Sequence, residues 1–308
     1  MAPDLLLRPA VAPVPVGLAG AGPWARAVHA PTLAAGPETR LAGVWSRTTA
    51  RADALARAHD APSLASFDAL LEVCDAVALA VPPAVQPELA VRAARAGKTL
   101  LLEKPLAPDV DGARRVVDAI DEAGVGSVVL LTYRFADVVR DFLAAADTFD
   151  ATGGRACFLS SAFLSGDFAA GWRLEQGALL DVGPHILDLV DVALGPVVAV
   201  QAGGDPLGWV GLLLEHERGA RSEVTISCTA GIDPSRTEVE LFGPGGTLFV
   251  DARSGARARS FATLRRELAE TVQSGGGHPC DARRGLHLQR LVDAAHRALG
   301  GTRVEVST

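Results

Sequence analysis

Between residues 14 and 131 the chain alternates short apolar runs with helical segments, and this alternation constrains the fold more than any other feature. The runs predict strands at 14–19, 41–45, 75–81, 99–102 and 127–131, with helices between most of them. Strands joined by helices form a parallel sheet, because each helix returns the chain to the edge from which the next strand starts. We therefore predict an α/β fold with an N-terminal doubly wound parallel sheet over residues 1–132. Residues 1–13 are rich in proline and are expected to form a loose arm.

The first predicted strand contains Pro15. Proline has no backbone N–H to donate to a neighbouring strand. We therefore expect the hydrogen-bonded part of this strand to begin after Pro15.

After residue 132 the pattern changes to successive strand-like segments joined by short turns. These segments lie at 155–163, 197–203, 209–216, 222–229, 237–242 and 247–251, and helices are predicted at 136–146, 181–194, 259–273 and 281–299. Strands with short connections pair antiparallel. The sequence therefore predicts a second, α+β domain over residues 133–308 with a predominantly antiparallel open sheet.

Charge and composition exclude several classes of partner and site. The formal net charge is -7 with a pI near 5.5, and no basic run is present, so we expect no nucleic-acid partner. No window has the roughly 18 uncharged apolar residues of a membrane span, and Asp4 precedes the first basic residue, unlike a secretory signal. The four cysteines form no CxxC pair, so we expect no metal site and free thiols in the cytoplasm.

A glycine turn follows the first predicted strand directly. It consists of Gly20, Gly22, Pro23, Trp24 and Ala25, with the spacing G-x-G-x-x-A. The first glycine permits a tight turn, the second lets a diphosphate approach the backbone, and the small alanine lets helix and strand pack closely. The helix N-terminus then offers free N–H groups to the phosphates. In this context the turn predicts a dinucleotide site.

The end of the second predicted strand indicates which dinucleotide is bound. Folds that prefer NAD place an acidic residue here for the ribose hydroxyls, whereas this chain has Ser46 and Arg47. A hydroxyl and a guanidinium would hold a 2′-phosphate that a carboxylate would repel. We therefore predict NADP, with Arg51 as a second cation and NAD as the alternative. Arg47 could instead be an ordinary solvated surface residue.

The predicted strand at 99–102 leads into Glu103-Lys104-Pro105. The chain has only two lysines, Lys98 and Lys104, among 29 basic residues, and both lie beside this strand. A lysine can exchange its proton when partly buried, whereas arginine stays charged. Lys104 is therefore a candidate catalytic group. Alternatively, the two lysines have no special role and are simply those that remain in a chain whose composition favours arginine.

Three segments together resemble the Gfo/Idh/MocA family of oxidoreductases. They are the glycine turn at 20–25, the stretch from Ala96-Gly97-Lys98 to Glu103-Lys104-Pro105, and the motif G-A-L-x-D-x-G-x-H-x-x-D at 177–188. The resemblance implies a Rossmann domain, an open-sheet domain, and hydride transfer between nicotinamide and a carbinol or carbonyl carbon. It also implies catalytic roles for Lys104, Asp181 and His185 and a cis Lys104–Pro105 bond.

The chemistry of these side chains supports such roles. Asp181 and His185 are four residues apart, so in one helix they would share a face with Asp188 one turn further on. His185 titrates nearest neutrality and could exchange the hydroxyl proton, and Lys104 could stabilise negative charge on the same oxygen. Asp181 could orient the histidine or bind a substrate hydroxyl. Alternatively Asp181 caps a helix that has Pro184 at its third position.

The resemblance also suggests the remaining residues of the site. Cofactor contacts are expected from the strand ends at Val81, Pro82, Glu103 and Lys104. Substrate contacts are expected from Tyr133, Arg134, Trp172 and Arg173 in addition to Asp181 and His185. Trp172 could stack on a sugar ring or could be an ordinary core residue. Gln86 replaces the family's usual histidine, which puts one polar contact in doubt. The other six histidines are expected to be surface or core residues.

The resulting hypothesis is an NADP(H)-dependent oxidoreductase acting on a sugar, cyclitol or related polyol or ketone. The alternative is a catalytically inactive regulatory protein of the same fold that binds the cofactor. The expected partner is a small-molecule substrate, and the family resemblance implies a homo-oligomer, a dimer or tetramer that pairs through the C-terminal sheet.

Overall fold

The computed structural model describes residues 12–166, 169 and 171–306. The predicted arm at 1–13 lies almost entirely outside the described residues.

The first part of the chain forms a five-stranded sheet in which every strand is parallel to its neighbours. The strands are β1 (Val14–Ala19), β2 (Thr39–Trp45), β3 (Ala76–Leu79), β4 (Thr99–Leu102) and β5 (Ser127–Val129). Their order in the sheet is β2-β1-β3-β4-β5, so the direction of winding reverses between β1 and β3. The predicted doubly wound parallel sheet is therefore confirmed, and ligands of such sheets bind outside this reversal point.

Helices cover both faces of this sheet. They are α1 (Ala30–Ala34), preceded by a π-helical turn at Ala25–His29, α2 (Thr49–Arg57), α3 (Phe67–Glu72), α4 (Gln86–Arg95) and α5 (Val110–Ala123). Helix α5 illustrates how the sequence sets these ends. The Asp109 side chain accepts a hydrogen bond from the Gly112 N–H at 2.7 Å, and Gly124 ends the helix in the left-handed conformation that glycine adopts without strain. Helix α3 was not predicted from the sequence.

The expectation that hydrogen bonding in β1 starts after Pro15 is wrong. The Val14 N–H already donates to the Glu38 carbonyl at 2.9 Å, and the Pro15 carbonyl accepts from the Asp75 N–H at 2.9 Å. Pairing with β3 begins only at Val16. An N–H at position 15 would therefore point beyond the first residue of β3. The sheet loses no hydrogen bond because proline stands there.

The second part forms a seven-stranded sheet. Its strands are β6 (Gly153–Leu159), β7 (Val197–Gly204), β8 (Trp209–His216), β9 (Arg221–Ser227), β10 (Arg236–Gly243), β11 (Gly246–Asp251) and β12 (Val304–Glu305). The order is β11-β10-β6-β9-β8-β7-β12, and only β6 and β9 pair parallel. The predicted open, predominantly antiparallel sheet is thus confirmed; the edge strand β12 was not predicted.

Helices pack on one face of the second sheet, and both of the last two helices also contact the first part of the chain. A 3₁₀ turn at Thr132–Phe135 is followed by α6 (Asp137–Thr148), α7 (Trp172–Asp181), α8 (Gly183–Leu194), α9 (Arg257–Ser274) and α10 (Ala282–Ala298). Leu264 and Leu268 of α9 share a hydrophobic core with Val16 and Leu130 of the first part. The domain boundary near residue 132 stays a prediction, with α9 spanning it in space. None of the described helices combines the length and apolarity needed to cross a bilayer.

Candidate active site

A cavity of about 390 Å³ lies where the carboxyl end of β4 meets α7, α8 and the start of α9. This volume is within the range of about 300–1,000 Å³ that is usual for small-molecule sites. The cavity brings together Lys104, Tyr133, Arg173, Asp181 and His185, which the sequence predicted to share a site. Residues from both sheets therefore contribute to one pocket.

Lys104 enters the cavity from the end of β4. All four residues of this strand are buried, so its direction is fixed by the core. The Lys104 Nζ donates to Asp181 Oδ1 at 3.0 Å and to the Asp181 carbonyl at 2.7 Å. The Lys104–Pro105 peptide is cis, as the family resemblance implied.

Gln86 holds the chain on both sides of Lys104. Its side chain is fully buried at the start of α4. The amide nitrogen donates to the carbonyls of Glu103 at 2.7 Å and Leu106 at 3.0 Å, and the amide oxygen accepts from the Glu103 N–H at 2.8 Å. A contact to the Pro105 carbonyl at 3.3 Å completes the set. The polar contact that the sequence left in doubt is therefore replaced by a clamp on the backbone that carries the lysine.

Glu103 connects this strand end to the glycine turn. Its Oε1 accepts a hydrogen bond from Trp24 Nε1 at 2.7 Å and lies 2.6 Å from His29 Nε2. His29 is buried in the π-helical turn, consistent with its assignment as a surface or core residue. Glu103 was predicted to bind the cofactor directly. Its observed contacts fix the indole of Trp24, which lines the cavity.

Asp181 and His185 are not in one helix, which corrects the prediction that they share a helical face. Helix α7 ends at Asp181, and α8 begins at Gly183 after a break at Val182. The capping alternative is also wrong, because Val182 occupies the N-cap position and no side chain caps α8. The Asp181 carboxylate instead pairs with Lys104 and lies 3.3 Å from Arg173 Nε.

A close backbone approach interrupts α7 before it reaches Asp181. Gly177 adopts φ 76°, ψ 179° inside this helix. A Cβ at this position would lie 2.0 Å from the Pro206 carbonyl oxygen, in the turn between β7 and β8. Only glycine fits there, because any side chain would strain the backbone and collide with that oxygen.

Electrostatics set the protonation states of the acidic and imidazole groups. Burial would raise the pKa of Asp181, but the charges of Lys104 and Arg173 outweigh it and lower the pKa, so the carboxylate is ionised. Burial, followed by the neighbouring Lys104 charge, lowers the pKa of His185 to about 3. The expectation that His185 titrates near neutrality is therefore wrong, and its imidazole is neutral at pH 7. His185 Nδ1 is buried with no hydrogen-bond partner among the described residues.

The structure brings some of the predicted substrate residues to the cavity and not others. Tyr133 lines it. Its ring forms a T-shaped contact with His185 at 5.5 Å between centroids, and its hydroxyl lies 3.1 Å from Thr237 Oγ1. Arg134 does not line it, because its guanidinium pairs with the buried Asp188 at 3.2 Å. Trp172 also lies outside the cavity lining, while the Arg173 guanidinium stacks on the Trp172 ring at 4.7 Å.

The residues of the glycine turn fit a dinucleotide. Gly20 has φ 118°, and a Cβ there would lie 2.1 Å from the Ala80 carbonyl oxygen on β3. At Gly22 no described atom lies within 4 Å of a Cβ, so the backbone is open to a diphosphate. This turn sits at the reversal point between β1 and β3. Val81 and Pro82 follow β3 on the other side of that point.

The end of β2 carries the residues predicted to select the cofactor. Ser46 Oγ donates to the Thr48 carbonyl at 2.8 Å and accepts from the Thr48 N–H at 3.2 Å. Arg47 and Arg51 are both exposed. Neither forms an ion pair within the part of the chain that the structure describes.

Two arginines that line the cavity were missed by sequence reasoning. Arg253 Nη1 donates to the Tyr133 hydroxyl at 3.2 Å. The Arg257 guanidinium lies over the rings of Trp24 at 5.8 Å and Phe261 at 5.4 Å. A signal was present, because three arginines occur within seven residues directly after a predicted strand, at 253, 257 and 259. Only the tertiary fold shows that two of them reach the pocket.

Two family models match the chain. Residues 14–130 match the model described as an oxidoreductase family with an NAD-binding Rossmann fold, and residues 153–249 match the GFO/IDH/MocA C-terminal domain. Among curated proteins, the chain is 30% identical over 252 residues to a dTDP-3,4-didehydro-2,6-dideoxy-alpha-D-glucose 3-reductase from Streptomyces violaceoruber, covering 77% of this chain and 72% of the relative.

Solved structures with the same fold extend over nearly the whole chain. GenD2 from gentamicin A biosynthesis, solved in complex with NAD, superposes with a TM-score of 0.86 at 22% identity, covering 99% of this chain and 100% of that one. The WlbA dehydrogenase from Bordetella pertussis, solved with NADH and UDP-GlcNAcA, superposes with a TM-score of 0.83 at 22% identity, covering 96% and 99%. At this level of identity the likeness shows the fold alone.

Proposed function

Because the chain belongs to the Gfo/Idh/MocA oxidoreductase family, we propose that it transfers hydride between a nicotinamide cofactor and a carbinol or carbonyl carbon of a sugar, cyclitol or related polyol. The observation that carries this proposal is the convergence of Lys104, Asp181 and His185 in one cavity beside the glycine turn. The similarity to a reductase of a keto-sugar supports the class of substrate.

The proposed chemistry divides the work among these three side chains. When bound, the nicotinamide supplies or accepts the hydride. The Lys104 ammonium hydrogen-bonds the reacting oxygen and stabilises its negative charge. In reduction it donates a proton to this oxygen and becomes the neutral amine, and in oxidation the neutral amine takes the hydroxyl proton and becomes the ammonium. The neutral His185, which lines the same cavity, hydrogen-bonds the same hydroxyl through its imidazole and so orients it. Asp181 holds Lys104 in place through the contact at 3.0 Å.

The assignment of proton exchange to Lys104 follows from the state of His185. A group with a pKa of about 3 carries no proton at neutral pH and is a weak base. Protonating it beside the Lys104 charge would also be opposed by repulsion. We therefore propose that Lys104 exchanges the proton and that His185 acts as a hydrogen-bond partner of the substrate.

We propose NADP as the preferred cofactor. Two observations support it: β2 ends in Ser46 without a carboxylate, and the exposed Arg47 and Arg51 have no acidic partner among the described residues. A guanidinium in this position can bind a 2′-phosphate through two parallel N–H···O hydrogen bonds. If the protein bound NADPH and NADH with equal affinity, that result would support NAD instead.

We also propose a homo-oligomer that pairs through the second sheet. Three aromatic side chains of this sheet are exposed, Trp209 by 52%, Phe249 by 58% and Phe242 by 36%. Exposed aromatic groups are enriched at protein interfaces.

All four cysteines are free thiols, which agrees with the proposed cytoplasmic location.

Turnover of a defined substrate panel tests the proposed function. Purified protein would be incubated with polyols, cyclitols and hexoses plus NADP+ or NAD+, and with keto-sugars plus NADPH or NADH, while the cofactor absorbance is followed. The proposal expects saturable turnover with at least one substrate class. Saturable cofactor binding without turnover on any class would instead indicate a regulatory protein.

A further inference from the structure

The cavity wall carries more positive than negative charge, although the whole chain has a net charge of -7. Its cationic side chains are Lys104, Arg173, Arg253 and Arg257, and its carboxylates are Glu103 and Asp181. Both carboxylates already have partners inside the protein. Glu103 binds Trp24 and His29, and Asp181 binds Lys104 and Arg173. The excess positive charge is therefore carried by the two remaining arginines.

Arg253 and Arg257 are exposed at the cavity mouth, and neither guanidinium forms an ion pair among the described residues. The Arg253 guanidinium has one hydrogen bond, from Nη1 to the Tyr133 hydroxyl, while the Arg253 backbone N–H donates to Asp251 Oδ1 at 2.9 Å. A guanidinium has five N–H donors in a planar fork that matches the oxygens of a phosphate or carboxylate. Most of the donors of Arg253 thus remain available to a ligand in the cavity.

Tyr133 places Arg253 at the end of the cavity where the chemistry is proposed to occur. The Tyr133 and His185 rings form a T-shaped contact with 5.5 Å between their centroids, and the Tyr133 hydroxyl contacts Arg253 at 3.2 Å. His185 lines the same cavity. A single ligand that extends past the Tyr133 ring can therefore reach both the imidazole and the guanidinium.

We propose that Arg253 binds an anionic group, a phosphate or a carboxylate, carried by the sugar substrate. This inference rests on the proposed function and narrows its substrate class to charged sugars. A neutral sugar would leave a cationic wall without a counter-charge, whereas an anionic one neutralises it and gains charge-assisted hydrogen bonds.

The phosphates of the cofactor are the rival explanation for the excess charge, and geometry separates the two arginines. Arg257 stacks on Trp24 of the glycine turn, so it lies on the side of the cavity where the cofactor phosphates are expected. Arg253 contacts Tyr133 instead, on the side of His185. If Arg253 served the cofactor, its removal would weaken cofactor binding.

Binding of matched hexoses to the protein saturated with NADPH tests the proposal without requiring turnover. The probes are D-glucose, D-glucose 6-phosphate and D-glucuronate, and calorimetry gives the dissociation constant of each. We expect at least one anionic hexose to bind about tenfold or more tightly than glucose, the gain expected of charge-assisted contacts. The preferred probe also identifies which anionic group the site takes.

The variants Arg253→Ala and Arg253→Lys show whether this residue is responsible. Arg253→Ala should lower the ratio of anionic to neutral affinity by about ten- to a hundredfold, and Arg253→Lys should retain part of the ratio. Arg259→Ala is the matched control, because Arg259 is exposed, pairs with Asp137 at 3.6 Å and does not line the cavity.

Three results would overturn the proposal: glucose binding as tightly as both anionic hexoses, an unchanged ratio in Arg253→Ala, or a loss of NADPH affinity equal to the loss of anionic-hexose affinity. The proposed function fails separately. Tight binding of an anionic hexose without turnover would support the anion site and contradict the proposed enzyme function. Turnover of neutral sugars without a preference for anionic ones would support the enzyme function and contradict the anion site.

Discussion

At the scale of single residues, the environment of His185 decides its chemical role. The side chain is buried between Tyr133 and Phe158, whose ring centroids lie 5.5 and 6.5 Å from the centroid of the imidazole. A histidine is often assigned acid/base work because its ordinary pKa lies near neutrality. Here burial and the adjacent Lys104 charge remove that property. We expect the same burial to make the folded protein less stable in acid.

The pH dependence of unfolding should therefore change in His185→Asn. The pKa of His185 is about 3 in the folded protein and about 6.5 in the unfolded chain, so below pH 6.5 the unfolded state binds more protons. The contribution of the neutral His185 to the free energy of unfolding is therefore fully present above pH 6.5 and is lost as the pH falls towards 3. Between pH 7.5 and 5 the wild type should lose about 2 kcal/mol more than the variant.

Urea denaturation at the two pH values measures this difference in the free energy of unfolding. Equal losses in the wild type and His185→Asn would mean that the imidazole is not held neutral by burial.

Arg47 tests the choice of cofactor. Arg47→Ala should weaken NADPH binding about tenfold or more, because it removes charge-assisted hydrogen bonds to the 2′-phosphate, while NADH affinity should change by less than about twofold. Fluorescence titration of both cofactors provides the measurement. Arg57→Ala serves as the control, since Arg57 is another exposed arginine near the end of α2. Equal weakening of both cofactors would remove Arg47 from 2′-phosphate recognition.

At the scale of secondary-structure elements, the strand β4 and the helix α4 act together to aim Lys104. The strand fixes the direction of the chain, and Gln86 at the start of α4 holds the backbone on both sides of the lysine. A catalytic group is effective only when such surrounding contacts fix its geometry.

Replacing Gln86 should therefore affect turnover more than cofactor binding. Gln86→Leu is similar in size but leaves buried backbone N–H and C=O groups without partners, which costs about 1–3 kcal/mol for each unsatisfied group. We expect kcat to fall about tenfold or more with little change in KM for the cofactor. Gln86→His can restore part of the hydrogen bonding and should recover part of the rate.

Two readouts separate positioning from stability. A lower melting temperature with unchanged kcat in Gln86→Leu would show that the clamp stabilises the fold without aiming Lys104. A loss of kcat that persists well below the melting temperature supports positioning.

The elements also show what the sequence could predict. The strand Thr99–Leu102 was predicted with its observed ends, because a short buried run followed by Glu-Lys-Pro is a local signal. The glycine turn was equally local. The break between α7 and α8 was not predicted, because it depends on contacts with distant residues: Lys104 and Arg173 hold the Asp181 carboxylate, and the Pro206 carbonyl approaches Gly177.

At the scale of the whole molecule, the site depends on segments that are distant in the chain. Lys104 comes from the first sheet, Asp181 and His185 from α7 and α8, and Arg253 from the loop after β11. Helix α9 then packs on the first sheet through Leu264 and Leu268, which carries the 253–257 segment to the cavity. Sequence reasoning missed Arg253 because the local cluster of arginines does not show that the following helix returns to the first sheet.

The exposed aromatic face of the second sheet gives a prediction for the assembly. Trp209→Ser combined with Phe249→Ser should dissociate the oligomer and so lower the mass of the particle in solution. Both side chains are more than half exposed in the single chain, and aromatic groups dominate interface energies. Light scattering coupled to size exclusion measures the mass. A wild type that is already a monomer would contradict pairing through this face.

The central claim is that Lys104 exchanges the proton of the reacting hydroxyl within a cavity shared by both sheets. Lys104→Met keeps the apolar stem but removes the charge and the exchangeable proton, so turnover of the best substrate in the panel is the most direct measurement. We expect kcat to fall by about a hundredfold or more, as for the loss of a positioned proton-transfer group, while NADPH affinity stays within about threefold. A kcat within about threefold of the wild-type value would contradict the claim.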